Sequence, residues 1–314
     1  MPELPEVETV RSGLADLVVG YTVTGVQVFR PSCVRLQPGG EGEFAMQLHG
    51  MVLGAAVRRG KFLWFPLVEA EDAGAGEQLP AMALSAHLGM SGQFRMCEGE
   101  APEPHSHCRA RLRLESPDGV RTLDFLDQRT FGYLVAEPMR ATPDALPGGH
   151  GSALAAVPWT VTHIARDALD PAADDARIVS RMRRGSRGIK QVLLDQTVVS
   201  GVGNIYADEA LWAARIHPQR PAHALSASQA RGLLAAVRAV MTRALAQGGT
   251  SFDALYVNVN GESGYFSRDL AAYGRGGQPC QRCGGAISRE RIGGRSTHWC
   301  ARCQRRLVPR PVRY

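Results

Sequence analysis

Three groups of residues in this chain could carry chemistry. The first is the opening Met1-Pro2-Glu3-Leu4-Pro5-Glu6. Removal of an initiator Met before a small residue would leave Pro2 with a free secondary amine, close to the carboxylates of Glu3 and Glu6. A secondary amine can attack an electrophilic carbon and form a cationic iminium, a covalent catalysis otherwise done by lysine. A nearby carboxylate can move the protons that such a reaction needs. Taken alone, these six residues read more plainly as a frayed terminus. The second group is Cys280-x2-Cys283-x16-Cys300-x2-Cys303. Two Cys-x-x-Cys knuckles can place four thiolates around one tetrahedral Zn2+, and four sulfur ligands leave no open position, so the metal would be structural. A redox pair of Cys-x-x-Cys motifs is the weaker alternative, since no thioredoxin-like setting surrounds them. Gly284-Gly285 and Gly293-Gly294 in the spacer suit a β-hairpin that turns near Gly293, with Arg295 close to the turn. The third group is a pair of lysines. Of 36 basic residues only Lys61 and Lys190 are Lys and the rest are Arg. Positions that stay Lys in so Arg-biased a chain are candidates for a compact three-donor ammonium, as in phosphate contact.

Charge and composition narrow the class of protein. At 314 residues and 44% hydrophobic content the chain can bury two domain cores and is not disordered. It has no apolar run of 18 residues and no signal-peptide pattern, so a soluble, cytoplasmic protein is expected. Cys33, Cys97 and Cys108 are left over from the two knuckles and are expected as reduced thiols. The net charge of +6 is unevenly spread. Residues 280–314 hold nine Arg against one acid, and Arg177 to Lys190 holds six basic residues and no acid. Basic segments of this kind point to a polyanion such as nucleic acid, against the blander reading of a solvated surface.

The elements that must hold these groups are also legible. Val7, Val10, Leu14 and Leu17 recur at helical spacing, so a helix leads the chain. Tyr21–Phe29, Lys61–Val68, Arg109–Glu115 and Thr122–Leu126 read as short strands of an antiparallel sandwich or barrel. Met139–Leu154 is rich in Gly and Pro and reads as a linker, and residues 69–80 read as an exposed acidic loop. The second half is helical to about residue 250. One helix is expected over Tyr206–Ala214, directly after Gly201-Val202-Gly203-Asn204, where backbone N–H groups could meet an anion. Another starts at Ser226, with Gln229 completing a capping box, and ends at Gly248-Gly249.

These motifs together resemble the bacterial formamidopyrimidine-DNA glycosylases, also called 8-oxoguanine DNA glycosylases. The matching residues are Pro2-Glu3-Leu4-Pro5-Glu6-Val7-Glu8, Arg59-Gly60-Lys61-Phe62, His87-Leu88-Gly89-Met90-Ser91-Gly92 and Gly201-Val202-Gly203-Asn204-Ile205-Tyr206. They continue with Gly264-Tyr265-Phe266, Tyr273-Gly274-Arg275 and the four-cysteine finger. The resemblance implies an α+β multidomain fold. Its parts would be an N-terminal antiparallel β-sandwich with a leading helix (1–140), a linker (141–158), a helix–two-turn–helix domain (159–275), and a β-hairpin zinc finger with a basic tail (276–314). It implies base-excision repair of oxidised purines in damaged double-stranded DNA, which would lie between the halves and have its target base flipped out. It implies one structural zinc, no small-molecule cofactor, no membrane, a monomer, and a bacterial cytoplasmic location with nucleoid association when DNA is bound.

By the same resemblance Pro2 attacks C1′ and expels the base, and β- and δ-elimination then follow. Glu3 is the acid–base group and Glu6 a supporting carboxylate. Lys61 contacts phosphate and can donate a proton, Lys190 contacts phosphate, and Asn204 and Arg295 pin the phosphates around the flipped nucleotide. Arg295 also assists the late eliminations. Met90, Arg129 and Phe131 fill the gap left by the base. Without the family, Met90 and Phe131 would read as core. His87 and Tyr265 belong to the DNA-contacting set, and Tyr265 lies within a segment, 255–266, expected to hold the flipped base. The chain departs from the family at Asp127-Gln128-Arg129-Thr130-Phe131-Gly132, where Asp-Pro-Arg-Arg-Phe-Gly is common, and at Ala165-Arg166-Asp167-Ala168-Leu169. The rivals are an endonuclease VIII-like enzyme for oxidised pyrimidines and a non-catalytic damage-binding protein.

Overall fold

The computed structural model describes residues 2–70, 80–99, 102–249 and 269–306. Most of the acidic loop (71–79), Tyr265 with the expected base-holding segment, and the tail from 307 lie outside them. The chain forms two compact units, Met1–Ile164 with Leu245–Tyr265, and Ala165–Ala244 with Phe266–Tyr314.

In the first unit α1 (Leu4–Val18) buries Leu4, Val7, Val10, Leu14 and Val18 on one face. β1 (Thr22–Val28) follows, then a 3-10 turn over Pro31–Val34 and α2 (Gly40–Leu48). The remaining strands are β2 (Val52–Leu53), β3 (Val57–Arg59), β4 (Phe62–Val68), β5 (Met82–His87), β6 (Gly92–Glu98), β7 (Cys108–Ser116), β8 (Gly119–Asp127), β9 (Tyr133–Ala141) and β10 (Ala156–Pro158). They pair antiparallel in one path, β10-β9-β5-β4-β2-β1-β7-β8-β6, with β3 on β4. The sheet is continuous, and its two halves face one core, as the expected sandwich requires. Leu63, Phe65, Leu84, Ala86, Leu134 and Ala136 from one half share a single core with Val23, Ala110, Leu112, Leu114, Leu123 and Phe125 from the other. The period-two pattern of β7 shows why: Ala110, Leu112 and Leu114 are buried, while Arg111 and Arg113 point away.

The stretch expected as a linker is instead built into this unit. Thr142–Leu154 folds back, so that Gly148 N–H reaches Leu154 O and His150 bridges Arg58. β10 then pairs with β9. The glycines permit close backbone approach, since a Cβ on Gly149 would lie 2.4 Å from Arg58 O. Packing, rather than flexibility, explains the Gly/Pro richness here.

The second unit holds α3 (Asp175–Met182), α4 (Ile189–Leu193), α5 (Asn204–Ala213) and most of α6 (Ala227–Ala246), followed by the hairpin of β11 (Ile287–Ile292) and β12 (Arg295–Cys300). The capping box of α6 is present: Ser226 N–H donates to Gln229 Oε1 at 3.0 Å, and Gln229 N–H donates to Ser226 Oγ at 3.1 Å. Gly293 (φ 57°) and Gly294 (φ 80°) make the hairpin turn, whose left-handed geometry glycine adopts without strain. Among the described residues no helix is long and apolar enough to cross a membrane.

Candidate active site, nucleic-acid interface and metal centre

The N-terminus is pinned. Glu3 is the cap of α1, its N–H donates to Glu6 Oε2 at 2.8 Å, and the two carboxylates form a reciprocal capping box. Pro2, Glu3 and Glu6 are all buried. Gly249, just past α6, lies against Glu6: a Cβ there would stand 3.0 Å from Glu6 Oε1. Lys61 is buried at the tip of the β3–β4 hairpin, where Arg59 pairs with Phe62 across a two-residue turn. Gly60 takes φ 58° in that turn, a conformation suited to glycine at the first turn position. Arg58, next to this tip, pairs with Glu8 of α1 at 2.7 Å, and so the helix carrying Glu3 is tied to the hairpin carrying Lys61.

Met90 and Phe131 are not core residues. They are 40% and 56% exposed on adjoining loops. The β5–β6 loop and the β8–β9 loop touch backbone to backbone, since a Cβ on Gly89 would stand 2.5 Å from Gly132 N. Asp127 organises both. Its carboxylate accepts Ser91 Oγ–H at 2.5 Å, Gly132 N–H at 2.7 Å and Arg129 N–H at 3.2 Å. The Arg129 guanidinium lies 4.0 Å from Met90 Sδ, so the three expected gap-filling side chains come from one loop pair. His87 sits between the Phe62 and Tyr133 rings, at 5.1 and 5.5 Å. Burial, then Lys61 and Arg35, push its pKa down to about 4. Sequence reasoning missed Asp127, Ser91 and Arg35, because what they do depends on a loop pairing that no local pattern announces.

In the second unit Lys190 is enclosed by protein groups. Its side chain is 2% exposed, and its ammonium pairs with Asp208 at 2.6 Å. It also donates to Thr297 Oγ1 at 2.9 Å and Ser296 O at 3.2 Å. Asn204 donates to Ser296 O at 2.9 Å, and Asp208 accepts His298 N–H at 2.8 Å. Asn204 and the residues after Arg295 are therefore brought together, with Arg295 itself exposed at the hairpin turn. The neighbouring Glu209 accepts three successive N–H groups, from Ala271, Ala272 and Tyr273, at 2.8–2.9 Å. Burial raises its pKa against those donors. Two adjacent acids within the otherwise apolar α5 were the signal available in the sequence.

The ligand atoms of Cys280, Cys283, Cys300 and Cys303 lie within 4.8 Å of one another. Four sulfurs at the base of a hairpin fit a tetrahedral, closed Zn2+ site. Trp212 Nε1–H donates to Cys280 Sγ at 3.3 Å, the sort of outer hydrogen bond that orients a metal ligand. The four thiolates are the site of one structural zinc. The other three cysteines form no disulfide, and burial raises the Cys33 and Cys108 thiols to about 12, which leaves them protonated and inert.

An antiparallel sheet with a capped leading helix, joined to a helical unit bearing a four-cysteine hairpin, is the architecture of a class of DNA-repair glycosylases. The comparisons agree. Residues 1–134 match the formamidopyrimidine-DNA glycosylase N-terminal domain, 164–254 its H2TH domain, and 277–306 the zinc finger found in FPG and IleRS. Formamidopyrimidine-DNA glycosylase of Leifsonia xyli is 51% identical over 97% of this chain and 100% of its own length. That of Nocardia farcinica is 50% identical over 100% of both. The MutM (Fpg) crystal structure from Thermus thermophilus is 36% identical, with TM-score 0.76, and covers 96% of this chain and 98% of that one. Lactococcus lactis Fpg in complex with oxidised-pyrimidine DNA is 30% identical, with TM-score 0.78, covering 97% and 100%. The chain belongs to the formamidopyrimidine-DNA glycosylase family, enzymes of base-excision repair.

Proposed function

We propose that the chain excises oxidised purines from duplex DNA by covalent catalysis at Pro2 and then cleaves the strand as a lyase. The observation that carries this reading is the pinned N-terminus: Pro2 and Glu3 are buried and capped, not frayed. The positive end of α1 disfavours a protonated amine beside it, which favours the free nucleophile. With Met1 removed, Pro2 N attacks C1′, the glycosidic bond breaks and the base leaves with a proton. The C1′–O4′ bond then breaks, with Glu3 passing a proton to O4′, and C1′ becomes an iminium carbon; this acidifies the C2′ proton, which the Glu3 carboxylate would take as the 3′ phosphate departs. δ-Elimination then releases the 5′ phosphate. Glu6 holds Glu3 in place through its N–H. Lys61, Asn204, His87 and Arg295 would bind phosphate, and Met90, Arg129 and Phe131 would occupy the gap in the stack. Damaged double-stranded DNA is the partner, and phosphate contacts of this kind position it without reading sequence.

The test is a duplex with one 8-oxoguanine opposite cytosine, incubated with the protein and borohydride. A trapped covalent adduct and strand cleavage are expected. Protein retaining Met1 should bind the duplex without being trapped or cutting it. No adduct from protein lacking Met1 would overturn the covalent mechanism. Trapping only on oxidised pyrimidines would place the chain with the endonuclease VIII-like enzymes, and binding with no chemistry would make it a damage-binding protein.

A further inference from the structure

Thr130, between Arg129 and Phe131, has φ 57°. This is a left-handed backbone that a β-branched residue adopts only when its surroundings impose it. The Phe131 side chain is mostly exposed, so no apolar core holds the loop. No residue from Gln128 to Gly132 is proline, so no ring fixes the backbone either. We infer that Arg35 is a positioning residue that holds the β8–β9 loop in this strained, gap-filling form. The inference rests on the reading of Phe131 and Arg129 given above.

Arg35 directly follows the 3-10 turn Pro31–Val34 and lies 96 residues from the loop in sequence. Its Nη2 donates to Phe131 O at 2.9 Å and its Nη1 to Gly132 O at 2.6 Å. Its Cζ lies 5.3 Å from the centre of the Tyr133 ring. A planar fork that binds two successive carbonyls and also stacks on the next ring is geometry available to Arg and not to Lys. Asp127 binds the N–H groups of Arg129 and Gly132. The strained residue is thus flanked by an anion on its N–H neighbours and a cation on the carbonyls that follow it. Preorganising the loop this way removes an ordering cost from base extrusion, because the wedge need not be assembled as the base leaves. Nothing in this arrangement acts on the sugar chemistry, so the effect is confined to steps that open the stack.

The experiment uses the full-length, zinc-loaded protein with Met1 removed, as wild type, Arg35→Ala, Arg35→Lys and Phe131→Ala. Two duplexes are compared. One carries 8-oxoguanine opposite cytosine with 2-aminopurine beside the lesion, and the other a preformed abasic site. Arg35→Ala should slow single-turnover excision about tenfold and lower the 2-aminopurine rise, while abasic-site nicking stays within about twofold. Arg35→Lys, which keeps the charge and guards against misfolding, should show the same loss. Arg35→Lys behaving as wild type would overturn the bidentate grip. Equal loss of excision and abasic nicking in Arg35→Ala would overturn the inference in favour of a general folding role. If Phe131→Ala is impaired and both Arg35 variants are not, Arg35 has no positioning role. If Phe131→Ala itself leaves excision and fluorescence unchanged, the gap-filling reading has failed and takes the inference with it.

Discussion

At the scale of single residues, His87 shows how burial selects a chemical form. Gly89 N–H donates to its Nδ1 at 3.1 Å, so the neutral ring carries its proton on Nε2. The ring is then a neutral hydrogen-bond donor at neutral pH, which suits a phosphate contact that costs no charge burial. The same shift couples to stability. The folded pKa, about 4, lies below the ordinary 6.5, so the unfolded chain binds the extra proton between them. Stability from this residue is complete above about pH 6.5 and is lost as pH falls towards 4. The full shift corresponds to at most about 3 kcal/mol, reduced by the ring's remaining solvent contact. Denaturant unfolding at pH 7 and pH 4.5 should therefore show a smaller acid loss in His87→Gln than in wild type. An equal loss would place the acid sensitivity elsewhere.

At the scale of elements, Lys190 joins three of them. It extends from α4, pairs with Asp208 of α5 and holds Ser296 and Thr297 of β12, beside Arg295. Breaking a buried ion pair leaves an uncompensated charge, so Lys190→Met should cost roughly 3–5 kcal/mol. Calorimetry should show this as a lower transition temperature for the second unit. A lysine that only touched phosphate would instead lose DNA affinity at unchanged melting temperature. The Arg bias of the chain singled out Lys190, and the structure gives its ammonium three protein partners. Helices and strands themselves were legible, because a period of 3–4 in α1 and of two in β7 follows from burying one face. The folded 142–154 segment was not, since glycine signals a turn and a close approach alike.

For the molecule as a whole, charge and metal act together. Nine of the arginines lie in residues 280–314, the same segment that holds all four zinc ligands. Two cysteines precede β11 and two end or follow β12, so the metal closes the base of the hairpin whose turn presents Arg295. Such a small element has little core of its own: Cys280, Ile287 and Cys300, with Trp212 and Cys303 against them. Chelating the zinc should weaken DNA binding several-fold by fluorescence anisotropy. The circular dichroism of the first unit's sheet should persist, because its core contains none of these residues. Affinity that survived metal loss would show that the finger is not needed to present Arg295.

The sequence by itself determined the chemical vocabulary: a proline beside two carboxylates, four thiols at metal spacing, the only two lysines, and the periodicities of sheet and helix. Each is a property of residue type and local spacing, which the sequence states directly. The tertiary structure alone decided which groups face each other. It turned Lys190 inwards onto Asp208, set Gly249 against Glu6, and brought Arg35 across 96 residues to the carbonyls beside Thr130. The physical reason is that ion pairs, orphan carbonyls and strained backbone are satisfied by whichever partner packing delivers. That partner is chosen by the closure of the core and not by any neighbour along the chain.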